Sequence, residues 1–178
     1  MMEVKQTTQL LKSTRKMNGT VENEYVRTII VEPKATGTLE DDKIDQSLSV
    51  RAYAKIYFTQ GEMLEGGQMV DYKKLTRASG RWSIEDSSYL CRERKIVAKS
   101  KGWNLQTRNF ENLSITKNPS DNAGADFTTP NFGPIDFESN LMGVIGVETD
   151  ATICRKTNQS STWRLNLILV MGNQVNWS

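Results

Sequence analysis

Residues 46–59 read QSLSVRAYAKIYFT. Leu48, Val50, Ala52, Ala54, Ile56 and Phe58 recur at every second position, and Ser49, Arg51, Tyr53, Lys55 and Tyr57 fill the gaps. Successive side chains of a strand point to opposite faces, so this period gathers the apolar set on one side and the polar or amphipathic set on the other. The run is long for a strand, which predicts that it crosses a sheet covered on one face only. We take it as the centre of the domain.

Upstream, Tyr25 to Glu32 (YVRTIIVE) reads as a second strand stopped by Pro33, and Lys34 to Asp45 as an exposed acidic loop. Residues 1–20 are polar and basic, which predicts a flexible N-terminal arm. Downstream, Gly61, Gly66 and Gly67 break the chain, and Gln68 to Ala78 reads as a short helix packing through Met69, Val70, Tyr72 and Leu75. A second helix is expected from Ser83, with Glu85 and Asp86 in its first turn, to about Ser100, ending at Gly102. Its apolar positions fit one stripe loosely, so a strand from Lys95 onward is the alternative.

Trp103 to Thr116 is a strand candidate interrupted near Asn109 to Asn112. Lys117 to Glu138 is irregular, with Pro119, Pro130, Pro134, Gly124 and Gly133 set against regular structure. Asn140 to Cys154 and Thr162 to Met171 read as paired strands joined by Arg155 to Ser161, a connection longer than the tight hairpin turns. The expected fold is α+β: a single domain, mainly antiparallel sheet, with two short helices packed on one side and a flexible basic N-terminal arm. The arm takes residues 1–20 and the globular domain residues 21–178.

A chain of 178 residues suits one domain with a sizeable core. The formal charge is only +2, but it is unevenly placed. Lys5, Lys12, Arg15 and Lys16 make the arm basic, and basic residues outnumber acids from Asp71 to Lys101, whereas Glu32 to Asp45 and Asp121 to Asp150 are acidic. Such runs are either solvated faces or a basic side that meets an anionic surface.

The chain has no histidine, which excludes His-dependent triads and the usual zinc sites. Cys91 and Cys154 are too few for a disulfide framework, and no secretory signal or myristoylation site is read at the start. No apolar run approaches the roughly 20 residues of a membrane span. Cys91 lies in a basic segment, CRERK, that would activate an exposed thiol, but without a histidine base a buried apolar cysteine is the stronger reading. Asp41 with Asp42, and Glu85 with Asp86, are adjacent carboxylates whose side chains point apart in most local structures. GEMLEGG (Gly61 to Gly67) lacks the Lys-Ser/Thr of a phosphate loop. No cofactor fingerprint is present, and no enzyme activity is expected. Basic residues alternate with Tyr72, Trp82, Tyr89 and Trp103, a mixture found on single-strand nucleic-acid surfaces.

The order of features resembles the matrix proteins of rhabdoviruses, of the plant-infecting cytorhabdovirus type. The features are a short basic arm, a long strand SVRAYAKIYF, a Tyr-containing helix, a Trp, a second basic helix, a long loop with apolar residues, and two C-terminal strands. The C-terminal segment VIGVETDATICRKTNQSSTWRLNLILVMGNQVNWS is similar in its spacing to the lyssavirus-like members. The chain departs from many animal-virus members in having no adjacent prolines, the first being Pro33, so a Pro-rich budding signal is missing.

The resemblance implies a non-enzymatic virion protein that self-associates, condenses the nucleoprotein–RNA complex and links it to the inner face of the membrane during budding. Its implied places are the virion, the host cytoplasm and the cytoplasmic face of host membranes. Its implied partners are the nucleoprotein–RNA complex, an anionic membrane surface bound peripherally, copies of itself and a glycoprotein cytoplasmic tail. On this reading Lys5, Lys12, Arg15, Lys16, Lys73, Lys74, Arg77, Arg92, Arg94, Lys95 and Lys99 meet membrane or nucleocapsid. Phe127, Phe132, Ile135 and Phe137 form a self-association loop that docks on a neighbouring subunit or dips into the bilayer interface, unless those side chains close back onto their own core. Two other readings are a small viral coat β protein that binds nucleic acid and a carbohydrate-binding β domain using Trp163 and Trp177.

Overall fold

The computed structural model describes residues 4–31, 49–138 and 142–177. In chain order the strands are β1 Val4–Arg15, β2 Val21–Val31, β3 Val50–Glu65, β4 Gln68–Ile84, β5 Tyr89–Asn104, β6 Asn109–Lys117, β7 Ala125–Thr128, β8 Ile135–Asp136, β9 Val144–Arg155 and β10 Asn158–Gly172. A 3-10 turn, Gln174–Trp177, follows them. All strand pairs are antiparallel, in the order β1-β2-β3-β4-β8-β5-β9-β10, with β6 on β5 and β7 on β4.

The short strand β8 joins β4 at Tyr72 and Lys73 to β5 at Asn104, and there the sheet folds over on itself. As a result β3 and β4 lie across from β5, β9 and β10. The alternation in β3 is realised: Val50, Ala52, Ala54, Ile56 and Phe58 are buried, and Arg51, Tyr53, Lys55 and Tyr57 are half-exposed. Opposite them sit Ile96 and Ala98 of β5, Ile145, Val147 and Ile153 of β9, and Leu165, Leu167 and Leu169 of β10. Each large apolar side chain withdrawn from water here contributes about 1.5–3 kcal/mol. The layers meet closely at Gly80, where an added Cβ would lie 2.4 Å from Thr149 Cγ2 and 3.0 Å from Ile96 Cγ1.

The α+β expectation is overturned: among the described residues there is no α-helix, and the fold is all-β. The segment read as the first helix, Gln68 to Ala78, is most of β4. Its helix-like spacing comes from a bulge. Phe58 pairs with Leu75 and Tyr57 with Arg77, so Thr76 is the extra residue, and Leu75 and Ala78 both end up buried three positions apart. The second expected helix, Ser83 to Ser100, is the end of β4, a turn, and most of β5. In β5 a bulge between Arg92 and Lys95 places Glu93 at φ 49°. The buried set therefore switches from Tyr89 and Cys91 to Ile96, Ala98 and Ser100, odd to even, which blurs the two-residue period. A strand covers not only Lys95 onward but the whole of Tyr89–Asn104.

Other expectations shift less. Val4–Arg15 of the expected flexible arm is a strand paired with β2, so the division at residue 20 falls inside one hairpin. Gly66 and Gly67 are no phosphate loop but the two-residue turn between β3 and β4, at φ 58° and 84°, a backbone shape that suits glycine. The strand read at Trp103 to Thr116 is two strands, with Asn104 Oδ1 accepting from the Gln106 and Thr107 amides in the turn between them. Arg155 and Asn158 pair around a two-residue turn, tighter than expected, and the extra length is absorbed as a bulge before Thr162. The expected acidic loop Lys34 to Asp45, and Gln46 to Leu48, lie outside the described residues.

The β1–β2 hairpin is tied to β4 by a polar contact. The Tyr72 hydroxyl donates to Glu22 Oε2 at 2.5 Å, and Lys16 Nζ lies 2.7 Å from the same oxygen. Burial alone would raise the Glu22 pKa, but the hydrogen bonds from Lys16 and Tyr72 and the nearby positive charges outweigh it, and the net shift is downward. Burial and the bond to Glu22 push the Tyr72 phenol up. A carboxylate with a depressed folded pKa adds stability above its unfolded value, near 4.5, and loses it as pH falls through the folded value.

Two outcomes follow in urea unfolding. Gly80→Val destabilises by about 1–3 kcal/mol through overpacking between the layers, and an unchanged midpoint would refute the face-to-face arrangement at that point. Glu22→Ala costs about 1–3 kcal/mol at pH 7 because it strands a buried hydroxyl. The gap from wild type narrows below pH 4.5, and a pH-independent gap would rule out the ionised contact.

Candidate polyanion-binding face

Because the inward set of β3 is fixed by the core, its alternate residues must face out. Beside them, Arg77, Ser79 and Arg81 of β4 do the same, in cross-strand pairs Tyr57–Arg77, Lys55–Ser79 and Tyr53–Arg81. Cations and rings interleave across the two strands. The Arg81 guanidinium sits 4.0 Å from the Tyr53 ring centre, and Lys55 Nζ and the Arg77 guanidinium lie 4.9 and 5.0 Å from that of Tyr57. Such contacts hold the long side chains over aromatic faces without cancelling their charge.

A groove of about 460 Å³ runs over this face, bounded on one side by residues 123–126. Gly124, at φ 76°, lets that segment lie on β4, since a Cβ there would fall 1.8 Å from the Gly80 carbonyl oxygen. The wall is fastened by Trp82 N–H donating to the Asn122 carbonyl at 2.9 Å and by Arg94, whose Nε donates to Asn122 Oδ1 at 2.7 Å and whose Nη1 donates to the Ser120 carbonyl at 3.2 Å. Arg77 is committed to Asp126 through two bonds of 2.6 Å, and that carboxylate raises its pKa. Lys55 and Arg81 have no ion-pair partner among the described residues.

The basic residues singled out from the sequence do not share one surface. Arg77 is on the β3–β4 face. Lys73 is half-buried over the Phe137 ring at 4.8 Å, and burial lowers its pKa against the pull of Asp71. Lys74 is half-buried on β4. Arg92, Arg94, Lys95 and Lys99 belong to β5, in the opposite layer, and three of the four make specific contacts. Arg92 donates to Gln159, Arg94 holds the groove wall, and Lys99 donates to the Trp177 carbonyl at 2.5 Å. Lys95 is exposed, paired across the strands with Asp150. Lys12 and Arg15 are exposed on β1, Lys16 is bound to Glu22, and Lys5 is placed by its backbone in β1. Tyr53, Lys55, Tyr57 and Arg81 were not singled out, although each lay in the polar half of the alternation or directly opposite it.

The loop side chains turn inward. Ile135 is fully buried and Phe132 is 3% exposed, both in the main core, while Phe127 and Phe137 are half-buried against it. Phe127 belongs to β7 and Ile135 to β8, so the stretch packs on its own domain through these side chains, with Phe127 and Phe137 keeping part of their surface open. Trp177 is buried, and Trp163 is half-buried with its ring edge-on to Tyr89.

No group of three or more acidic or cysteine side chains is placed to hold a metal among the described residues. Cys91 and Cys154 are free and buried, and burial pushes the Cys91 thiol up, against the opposing influence of Arg94. Glu85 and Asp86 lie in the β4–β5 turn, where Asp86 accepts from the Ser88 amide at 2.8 Å. Both thiols are therefore expected to be inert to a disulfide reagent in the native state and to react in urea; rapid native reaction at Cys91 would contradict its burial. Compared with known proteins, the chain matches no family model, no curated protein and no solved structure.

Proposed function

We propose that this is a non-enzymatic assembly protein of the viral matrix kind, which grips a phosphate-rich surface with the outer face of β3 and β4 and joins to copies of itself. In that role it condenses a nucleoprotein–RNA filament and links it to the inner face of a membrane. The observation that carries the polyanion-binding part is the interleaved Tyr53, Lys55, Tyr57 and Arg81, with the two cations left without carboxylate partners among the described residues. The matrix role itself rests on what is left of the sequence resemblance, the long central strand and the C-terminal strand pair, since the arm and the two helices it also drew on are strands in the structure. Self-association is favoured by β1, whose outer edge has no strand partner among the described residues and which carries exposed Leu10 and Leu11.

A coat-type reading gains from the two facing all-β layers. It loses from connectivity, since β1 to β4 follow one another as neighbours rather than in the paired Greek keys of a jelly roll. Closed isometric particles in electron microscopy would favour the coat; filaments or membrane-bound arrays favour the matrix.

The test is retention on heparin and pelleting with phosphatidylserine vesicles against phosphatidylcholine vesicles. The protein is expected to bind the anionic supports at low salt and leave them as salt rises. The double variant Lys55→Gln, Arg81→Gln should elute from heparin at clearly lower salt, whereas Lys95→Gln on the opposite layer should not. Equal effects of the two variants would contradict the assignment of the face.

A further inference from the structure

The chemistry of the β3–β4 face is more selective than positive charge requires. A surface that only attracts anions needs ammonium and guanidinium groups. This one spends every second outward position of β3 on a tyrosine, Tyr53 and then Tyr57, with Lys55 between them. At about 3.3 Å of rise per residue, the two tyrosines stand about 13 Å apart along one strand on one side of the sheet. The Arg81 guanidinium, 4.0 Å from the Tyr53 ring centre, adds a planar, charged group on which a base can stack. The groove is walled by residues 123–126, with Ser79 in its lining as a hydroxyl donor and acceptor.

We infer that this groove binds single-stranded nucleic acid, by stacking bases on the Arg81 plane that covers Tyr53 and on the Tyr57 ring in place of Lys55, while Lys55 and Arg81 meet the backbone phosphates. The inference rests on the polyanion-binding reading above and narrows it to one ligand class. Three physical points separate that class from the others. A duplex hides its base faces, so rings presented from a sheet gain nothing from it beyond charge. A lipid headgroup has phosphate but no planar ring to stack. A single strand offers both, and stacking tolerates any base because each has a π-face, so no sequence preference is expected. Arg77 is not part of the ligand set. Its two bonds to Asp126 brace the wall, and the carboxylate beside the groove disfavours a phosphate at that end, which leaves the phosphate path to Lys55 and Arg81.

The test uses the full chain and three probes: fluorescein-labelled dT12, a labelled 12-base-pair duplex, and phosphatidylserine vesicles. Fluorescence anisotropy at matched salt is expected to show dT12 bound at least about tenfold more tightly than the duplex, a gap the size of one stacked base. Tyr53→Ala and Tyr57→Ala each weaken dT12 binding about tenfold and leave duplex binding unchanged, whereas Tyr53→Phe and Tyr57→Phe, which keep the ring, leave both unchanged. Lys55→Gln and Arg81→Gln each make the slope of log affinity against log salt shallower by about 0.7. Equal affinity for dT12 and duplex, or tyrosine variants without effect on dT12, overturns the stacking inference while the polyanion face stands. Tighter binding to the vesicles than to dT12 makes the face a lipid site and overturns it too. If none of the three probes binds, the polyanion reading fails with it. The comparison of dT12 with duplex needs no variant, so it decides the matter even if an alanine substitution unfolds the chain.

Discussion

The inward row of β3, Val50 to Phe58 at alternate positions, is packed against β9 and β10, and that burial fixes where the other half of the strand points. A strand cannot rotate one side chain without rotating its neighbours, so the core determines the surface. Slipping the register by one residue would put Tyr53, Lys55 and Tyr57 into the apolar interior and expose Ala54 and Ile56. The candidate site is therefore as stable as the contact between the layers. Its floor is the back of β3 and β4, and its wall is the chain entering β7, which glycine at position 124 allows to lie so close to β4.

The central strand was legible in the sequence because nothing interrupts its period between Val50 and Phe58. β4 and β5 were not, for one shared reason. Thr76 in β4, and Glu93 with Arg94 in β5, are bulges that shift the alternation by one position. Read as a string, Tyr72, Leu75 and Ala78 look like one face of a helix. In the folded chain they belong to a strand whose phase changes part way along. The two-residue glycine turn after Glu65 was the available clue, since tight turns of that kind join paired strands. β1 was hidden by its composition, because an edge strand packed on little needs few apolar residues.

The candidate site shows the same limit in a different form. Counting charges along the chain gave a basic block from Asp71 to Lys101, but β4 and β5 lie in opposite layers, so the block is divided between two outer surfaces. Several of its members are occupied with holding the fold: Arg94 with the 120–122 segment, Lys99 with the C-terminal turn, and Arg92 with Gln159. The pattern that gathers tyrosines with cations was already contained in YAKIY, where polar positions alternate with core positions. Charge density is a property of surfaces, and a linear count detects it only when one strand or helix carries the whole set.

The central claim is that the outer β3–β4 face, and not the basic run of β5, meets the nucleic acid. Photocrosslinking of 4-thiothymidine-substituted dT12 to the full chain, with the attachment sites read by mass spectrometry, tests it most directly. The account predicts crosslinks at Tyr53, Tyr57 and their neighbours on β3 and β4. Crosslinks concentrated on β5 around Lys95 and Lys99, with none on β3, would contradict it.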